Sequence, residues 1–347
     1  MTAPAAPPGL DDALAAPFSR LDDADLAAVA ADGWGLDVRD VRRLDTERDD
    51  TAVVTHAGGR HVLKVAHPLD DLGVLDLQCQ ALLHAAERDP GLPLPVLEPD
   101  RDGALLRMVA GAAGEPRVAR LLGHLDGEPL DYARTTPSQR AAVGSMAGRL
   151  SVALSDLEHP SSERVLPWDL RRVGSLRPLL PLVEDATARA VVEAVLDSFD
   201  DRVGAALLAT RQQVVHHDLN ADNLLVDPST AAYVTGVLDF GDVVRSSVAG
   251  DLAVAMSYAV GAGGPPEDAW DAPYDLARGF TSVRALTDDE NALLPDLVRT
   301  RLAQRVLLGS WLAASDPANA HYTGRSIERA AGALRRVAAR PSPAGGA

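Results

Sequence analysis

The sequence predicts an α+β fold of two lobes, in which a small antiparallel sheet precedes a larger and mainly helical lobe. Three observations support this fold class. Short apolar runs separated by turn residues dominate residues 1–120, as is typical of strands. Apolar residues at helical spacing dominate residues 131–340, and a β-rich patch at 213–240 interrupts the predicted helices. The change of pattern places the hinge between the lobes at residues 121–130.

Turn and cap residues set the order of elements in the first lobe. Asp22 and Asp23 precede helical spacing and favour a helix start. Gly58 and Gly59 favour a hairpin turn, and the Asp-Pro-Gly string at 89–91 ends a helix. The predicted elements are a helix at 21–31, strands at 38–44, 51–55 and 61–65, a helix at 72–87, and extended segments at 96–97, 104–109 and 118–125.

The second lobe is predicted to be helical around one hairpin. The hairpin turn is the Asp-Pro-Ser-Thr string at 227–230. The predicted helices are 138–157, 186–209, 248–260, 274–280, 288–314 and 324–339. Residues 1–16 are rich in Ala and Pro and are expected to be a loose start, and the Pro/Gly/Ala-rich tail at 341–347 is expected to be disordered.

Composition restricts the partners of the protein. The chain has 347 residues, and 46% of them are hydrophobic, which is enough to form a sizeable core. Its formal net charge of −17 should repel nucleic acid and anionic lipid, so neither is expected as a partner. A cationic small substrate is weakly favoured, although acidity is also a common means of keeping proteins soluble.

The single cysteine and the hydropathy of the chain argue against several kinds of site and segment. Cys79 is the single cysteine, which excludes an intramolecular disulfide and a cysteine-based zinc site. It lies in an apolar run and is expected to be buried and inert. The first ten residues lack the basic and apolar regions of a signal peptide, and no apolar stretch approaches the roughly 20 residues of a membrane span. A cytoplasmic location is therefore expected.

The basic residues are almost all arginine, and Lys64 is the only lysine. A position that tolerates arginine would be expected to have become arginine in such a composition. Lys64 lies in an apolar strand at 61–66, where it could be an edge lysine whose head reaches solvent. Its survival as the only lysine favours a site that needs a compact ammonium group instead of a planar guanidinium group.

The strongest motif lies at 214–226, where a polar loop separates two apolar runs. The loop fits the pattern H-x-D-x-x-x-x-N with His216, Asp218 and Asn223. Phosphoryl transfer needs a carboxylate that meets the proton of the incoming hydroxyl group, and a neutral amide oxygen that reaches a Mg²⁺ ion beside the phosphates. Short polar side chains on a rigid loop suit such chemistry, because it depends on positioning and charge stabilisation.

A second motif, at 236–242, is an apolar run that ends in Asp-Phe-Gly. Its Asp239 is expected to be a bridging Mg²⁺ ligand, and Phe240 is expected to pack beneath it. Either motif alone also occurs in ordinary strand-end turns. Here the two occur in the expected order, with 21 residues from Asp218 to Asp239 and a hairpin between them, which is far more specific.

In the first lobe, a polar turn at 44–51 lies between two predicted strands, where a phosphate-covering loop belongs. It contains no glycine, and the chain has no G-x-x-x-x-G-K-[ST] motif.

Together these features resemble the aminoglycoside phosphotransferase and choline kinase superfamily over residues 35–315. The strings that most resemble hydroxylysine kinases, and the kinase domains fused ahead of class III aminotransferases, are 47–49, 62–65, 168–170, 236–242 and 251–253.

This resemblance implies a two-lobed protein-kinase-like fold, with a nucleotide bound between the lobes. It implies that Asp218 is the catalytic base, that Asn223 and Asp239 hold Mg²⁺, and that Lys64 contacts the α- and β-phosphates. Arg48 in the phosphate-covering turn is a further candidate for nucleotide binding. ATP and GTP both remain possible cosubstrates.

The resemblance also implies an acidic partner for Lys64 on the following helix. Asp76 is the candidate, although the family position is usually Glu, and the alternatives are Asp70, Asp71, Gln78 and Glu87. Backbone groups of the hinge are expected to contact the nucleotide base through Gly123, His124 and Leu125.

Asp251 lies on an otherwise apolar helix and is expected to brace the catalytic loop. His216 is expected to be a structural loop residue. Substrate contacts are expected from Asp242, Trp168 and Asp169. The alternatives are core packing for Trp168 and a helix N-cap for Asp169.

Three functional hypotheses follow from these motifs. The first is a kinase that phosphorylates the hydroxyl group of a small amino compound, with hydroxylysine or a similar amino alcohol as the acceptor. The second is an aminoglycoside antibiotic phosphotransferase, which the acidic chain would suit because aminoglycosides are polycations. The third is a non-catalytic pseudokinase, against which the retained set of Lys64, Asp218, Asn223 and Asp239 argues.

Overall fold

The computed structural model describes residues 18–44, 46, 49–261, 268–315 and 320–339. The expected loose start at 1–16, the expected disordered tail at 341–347 and the predicted nucleotide contact Arg48 lie outside the described residues.

The first lobe is built on an antiparallel sheet in the strand order β1-β2-β3-β6-β4, with β5 also paired to β6. Its elements are α1 (Asp23–Trp34), β1 (Val38–Leu44), β2 (Asp50–His56), β3 (Gly59–Val65), α2 (Leu72–Arg88), β4 (Leu97–Glu98), β5 (Arg107–Ala110) and β6 (Pro116–Gly123). These strands confirm the predicted antiparallel sheet, and α1 and α2 confirm the two predicted helices.

Local signals explain where these elements begin and end. Asp22 caps α1 with a capping box to Asp25, and Gly35 ends α1 in the left-handed region at φ 72°. Gly59, at φ 130°, closes the hairpin between β2 and β3 with a conformation that side-chain-bearing residues rarely adopt. Asp71 caps α2 by accepting the Val74 N–H.

A buried ion pair joins β2 to β6. The Nη1 of Arg117 lies 2.6 Å from the Oδ2 of Asp50, and both side chains are fully buried. Arg117 also donates to the carbonyls of Val65 and Ala66, each at 2.8 Å. The Oδ1 of Asp50 accepts from Arg43 at 2.6 Å. The Asp50 carboxylate therefore neutralises two arginines, one from β1 and one from β6.

The second lobe is mainly helical, with two small antiparallel sheets of order β10-β9-β7 and β11-β8. Its elements are β7 (Glu128–Pro129), α3 (Pro137–Ala153), α4 (Ala186–Ser198), α5 (Gly204–Ala209), β8 (Gln212–Val215), β9 (Leu224–Val226), β10 (Val234–Val237), β11 (Val244–Ser247), α6 (Val248–Ala259), α7 (Asp271–Thr281), α8 (Asp288–Ser315) and α9 (Ala320–Ala339). This arrangement confirms the predicted helical lobe with an embedded hairpin.

Some elements differ from the sequence prediction. A π-helical turn at Phe199–Val203 divides the predicted helix 186–209. Leu170–Leu182 forms 3₁₀ turns containing Pro178 and Pro181, which remove helical N–H donors. The predicted hinge 121–130 is shorter than expected, because β6 continues to Gly123 and β7 already pairs with β9 of the second lobe.

Cys79 is buried as expected, and burial raises the pKa of its thiol. None of the helices in the described ranges combines the length and the apolar character that a membrane span requires.

We expect Gly144→Ala to lower the free energy of unfolding by about 1–3 kcal/mol, since it overpacks a tight helix crossing. A Cβ at Gly144 of α3 would collide with the backbone oxygen of Leu276 in α7. Chemical denaturation would measure the change. Gly332→Ala is the matched control: no atom lies within 4 Å of its added Cβ, so α9 should gain about 0.5–1 kcal/mol from better helix propensity. Equal effects of the two variants would contradict the packing argument.

Candidate active site

The loop after β8 holds the candidate base in a constrained conformation. His217 has φ 66°, in the left-handed region, and its N–H donates to the Oδ1 of Asp251 at 2.7 Å. A non-glycine residue in this region costs about 1–3 kcal/mol, so surrounding contacts must hold it. Asp251, which burial makes a weaker acid with a pKa of about 6, supplies one of them. The bracing role expected for Asp251 is confirmed.

Two buried histidines connect the loop to its surroundings. The Nε2–H of His216 donates to the Leu238 carbonyl at 3.0 Å, and its Nδ1 accepts from the Asp218 N–H at 3.3 Å. The Nε2–H of His217 donates to the Trp168 carbonyl at 3.1 Å. Burial lowers the pKa of each imidazole to about 4, so both are neutral at pH 7. Both rings are structural, as expected for His216.

The carboxylate of Asp218 has partners on both oxygens. Its Oδ2 accepts from Asn223 Nδ2 at 2.8 Å and from Asn220 Nδ2 at 2.9 Å. Its Oδ1 lies 3.4 Å from the Nη2 of Arg301. Loss of water raises the pKa of Asp218 to about 8, and Asp242 adds to the rise, whereas Arg301 opposes it. A carboxylate with a raised proton affinity suits a general base for a hydroxyl proton.

Asn223 and Asp239 are brought side by side by the backbone. The N–H of Leu238 donates to the Asn223 carbonyl at 2.8 Å, so the residue before Asp239 is hydrogen-bonded to Asn223. The Nδ2 of Asn223 is engaged with Asp218, which leaves its Oδ1 as the amide atom that can bind a cation. Asp239 has φ 53°, and its Oδ1 accepts from the Gly241 N–H at 3.0 Å.

The donor set of these two residues fits Mg²⁺. Within the described residues, no group of three His, Cys, Asp or Glu side chains is arranged to hold a metal. Mg²⁺ in phosphoryl-transfer sites is usually held by one or two protein oxygen ligands, with phosphates and water completing its shell. One carboxylate at Asp239 and one amide oxygen at Asn223 match that requirement. The charge of Lys64 holds the pKa of Asp239 down at about 2, so the carboxylate is ionised.

Lys64 reaches across the cleft from β3 to the second lobe. Its Nζ lies 3.3 Å from the Oδ1 of Asp239, and its side chain is 14% exposed. The prediction that Asp76 orients Lys64 is wrong, because the Oδ2 of Asp76 accepts from His159 at 3.1 Å instead. The alternative Gln78 donates to the Gly241 carbonyl at 3.4 Å, so α2 contacts the loop that carries Asp239 through a side-chain amide.

In the segment between the lobes, two residues predicted to contact the nucleotide have backbone N–H groups that already donate to other backbone carbonyls of the protein. The N–H of Gly123 donates to the Val96 carbonyl at 2.7 Å, and that of His124 donates to the Arg60 carbonyl at 3.3 Å. Contacts of these two residues with a nucleotide base would therefore have to use their carbonyl groups. Leu125 lies two residues after the end of β6 and stays a predicted contact.

The three predicted substrate residues have different outcomes. Asp242 adds to the raised pKa of Asp218, and its contact with the substrate stays a prediction. Asp169 is fully buried and accepts from Ser246 Oγ at 2.9 Å, and it caps a 3₁₀ helix, so the alternative of a helix N-cap is confirmed in place of a substrate contact. Trp168 is half-buried and packs beneath Arg301, whose guanidinium carbon lies 4.9 Å from the ring centroid.

Two arginines at the site were missed in the sequence. Arg301 lies on α8 and is buried against Asp218, and the polar residues around it in the sequence gave no signal of this contact. Arg120 on β6 is the cross-strand neighbour of Lys64 and lowers the pKa of Asp239. Its Nη1 is buried and has no hydrogen-bond partner among the described residues. Lys64 therefore has a second cation beside it.

We expect Lys64→Arg to lower kcat/KM for the nucleotide by about 10²-fold, because a planar guanidinium cannot take the position of a compact ammonium and misplaces the phosphates. Steady-state kinetics at saturating acceptor would measure this change. Asp76→Asn is the control and should leave the nucleotide KM unchanged, since Asp76 contacts His159. A larger loss in the Asp76 variant would restore the expected Lys64–Asp76 pair.

Comparisons with known proteins agree with this geometry. The sequence pattern of the APH family, described as a phosphotransferase enzyme family, matches residues 40–286. The chain is 28% identical to a hydroxylysine kinase of Danio rerio over 302 residues, which cover 83% of each chain. It is 25% identical to that of Mus musculus, over 86% of this chain and 85% of the relative.

A solved structure of an amicoumacin kinase in complex with AMP-PNP and Ca²⁺ has the same fold. Its TM-score is 0.68 at 16% identity, and the match covers 90% of this chain and 94% of the other. The predicted α+β, protein-kinase-like fold is confirmed. The chain belongs to the APH phosphotransferase family and is a small-molecule kinase.

Proposed function

We propose that the protein transfers the γ-phosphate of ATP or GTP to the hydroxyl group of a small amino compound, with a hydroxylysine-like acceptor favoured. One observation carries the proposal: Asp218, Asn223, Asp239 and Lys64 come together from two lobes at one cleft. The similarity to hydroxylysine kinases over most of both chains supports the choice of acceptor.

Each residue has a defined part in the proposed reaction. Asp218 accepts the proton of the acceptor hydroxyl group as its oxygen attacks the γ-phosphorus in line with the leaving nucleoside diphosphate. Lys64 binds the α- and β-phosphates, and Asn223 and Asp239 hold Mg²⁺. When bound, the cation neutralises negative charge on the phosphates. The transfer is direct, with no covalent enzyme intermediate.

Arg301 stabilises the ionised form of Asp218 and thereby opposes the effect of burial. Asn220 and Asn223 fix the orientation of the carboxylate through its Oδ2, so the Oδ1 edge faces α8. The base is thus held by residues from its own loop and from a helix more than 80 positions away in the sequence.

A coupled assay of nucleoside diphosphate release tests the proposal. ATP and GTP, each with Mg²⁺, are combined with hydroxylysine, homoserine, ethanolamine, choline or kanamycin. Turnover with one amino alcohol or hydroxy amino acid supports the proposal and identifies the nucleotide. Turnover with kanamycin alone would favour the antibiotic kinase. Nucleotide-dependent thermal stabilisation without turnover on any acceptor would favour a pseudokinase.

A further inference from the structure

Two arginines lie on one face of α8, the helix that contacts the candidate base through Arg301. Arg301 and Arg305 are four residues apart on this helix, so their side chains are neighbours one turn apart. Arg301 is engaged: it contacts the Asp218 carboxylate, the Trp168 carbonyl and the side chain of Gln304. The charge of Arg301 is therefore already matched by a carboxylate.

Arg305 is held differently. Its guanidinium carbon lies 4.0 Å from the centroid of the Tyr258 ring on α6, and the residue is only partly exposed. No ion pair to Arg305 occurs among the described residues, although the chain carries a net charge of −17. A guanidinium stacked on an aromatic face keeps its N–H edge available for a carboxylate, which it can bind through two parallel hydrogen bonds.

The electrostatic surroundings support a role in binding an anion. Burial lowers the pKa of the Arg305 guanidinium, and the positive charges of Arg301 and Arg329 lower it further. Tyr258 and Asp218 act in the opposite direction. Arg305 thus interacts with two other cations, and an added negative charge would relieve this repulsion.

The loop that follows β10 adds a negative charge that acts on the base. Asp242 of this loop raises the proton affinity of Asp218, whereas the charge of Asp239 is already matched by Lys64. The residues that act on the base therefore combine the negative charge of Asp242 with the positive charges of α8. A hydroxy amino acid, which carries both an ammonium and a carboxylate group, matches these charges, whereas an amino alcohol without a carboxyl group would leave Arg305 unmatched.

We propose that Arg305 binds the carboxylate of the acceptor, so that the substrate class is hydroxy amino acids and not carboxyl-free amino alcohols. This inference rests on the proposed kinase function and deepens it by assigning one binding residue and one required substrate group. Arg301, which contacts the base, is a positioning residue.

The test compares two hydroxy amino acids with their decarboxylated counterparts. Hydroxylysine is paired with 1,5-diaminopentan-2-ol, and homoserine is paired with 3-aminopropan-1-ol. The unaltered protein should favour the acid of a pair. Arg305→Gln should lower kcat/KM for that acid by about 10- to 100-fold, the usual worth of a hydrogen bond to a charged group, and leave the decarboxylated compound unchanged.

Arg299→Gln is the matched control. Arg299 lies on the same helix and is likewise stacked on an aromatic ring, that of Trp270, but its guanidinium donates to the Val337 carbonyl of α9. This variant loses a similar packing contact and should leave the preference for the acid intact. Thermal unfolding of both variants shows whether either loses activity through loss of the fold.

The outcomes separate this inference from the proposed function. Equal use of acid and decarboxylated compound, or an equal effect of Arg305→Gln on both, overturns the carboxylate site and leaves the kinase function standing. If no acceptor is phosphorylated, calorimetry with L-lysine, which lacks the hydroxyl group, shows whether the carboxylate site exists without the reaction. Binding that Arg305→Gln abolishes keeps the carboxylate site and rejects the reaction. The absence of both turnover and L-lysine binding overturns the two proposals together.

Discussion

Asp218→Asn is expected to lower kcat by about 10²- to 10⁴-fold, the range that general base catalysis contributes. The amide keeps the size of the side chain but cannot accept the hydroxyl proton in the way the carboxylate does. Asn220 and Asn223 remain in place, so nucleotide affinity should persist. Single-turnover kinetics with the acceptor identified by the assay would measure the chemical step apart from binding.

The matched control for this variant is Asp222→Asn. Asp222 belongs to the same loop, but it is exposed, and its N–H donates to Asn220 Oδ1. Neutralising it removes one negative charge from the loop without altering the base. Equal losses in the two variants would indicate that the charge of the loop matters and that Asp218 is not the base.

Asp50→Ala is expected to cause the largest loss of stability, about 3–5 kcal/mol, because it leaves a buried guanidinium without a counter-charge. Arg117 is fully buried, and its Nη1 has Asp50 at 2.6 Å. Arg43 loses one of its partners in the same substitution. Urea denaturation, followed by circular dichroism, would show the first lobe unfolding at a lower denaturant concentration.

The control for Asp50 is a second aspartate–arginine pair that lies in water. Asp126 pairs with Arg60, with side chains that are 81% and 46% exposed. Asp126→Ala should change the free energy of unfolding by no more than about 1 kcal/mol, because water and salt screen the pair. Similar losses in both variants would show that burial of the ion pair does not determine the loss of stability.

The sequence predicted the elements that depend on local patterns. The hairpin of β2 and β3 follows from alternating apolar residues around Gly58 and Gly59. The start of α1 follows from Asp22. The 3₁₀ turns at Leu170–Leu182 were missed, because two prolines break the helical period; their buried side chains belong to the core of the second lobe.

In the candidate site, local motifs were sufficient to predict those residues whose positions depend on neighbours in the sequence. Asp218 and Asn223 share one loop, and Asp239 follows the next hairpin, so their spacing carried the information. The assignments of Asp76 and Asp169 depended on which distant side chains reach them, which spacing along the chain does not encode. Arg301 reaches Asp218 from a helix far along the chain, so only tertiary structure connects the two residues.

The single lysine side chain has a practical consequence for covalent labelling of the protein. Lys64 is one of the few groups that amine-directed reagents can acylate, together with the α-amino group, and it lies at the cleft with 14% of its side chain exposed. Covalent labelling of side-chain amines would therefore report on a single position. Competition between a bound ligand and the label would measure occupancy of the phosphate region directly, without any turnover assay.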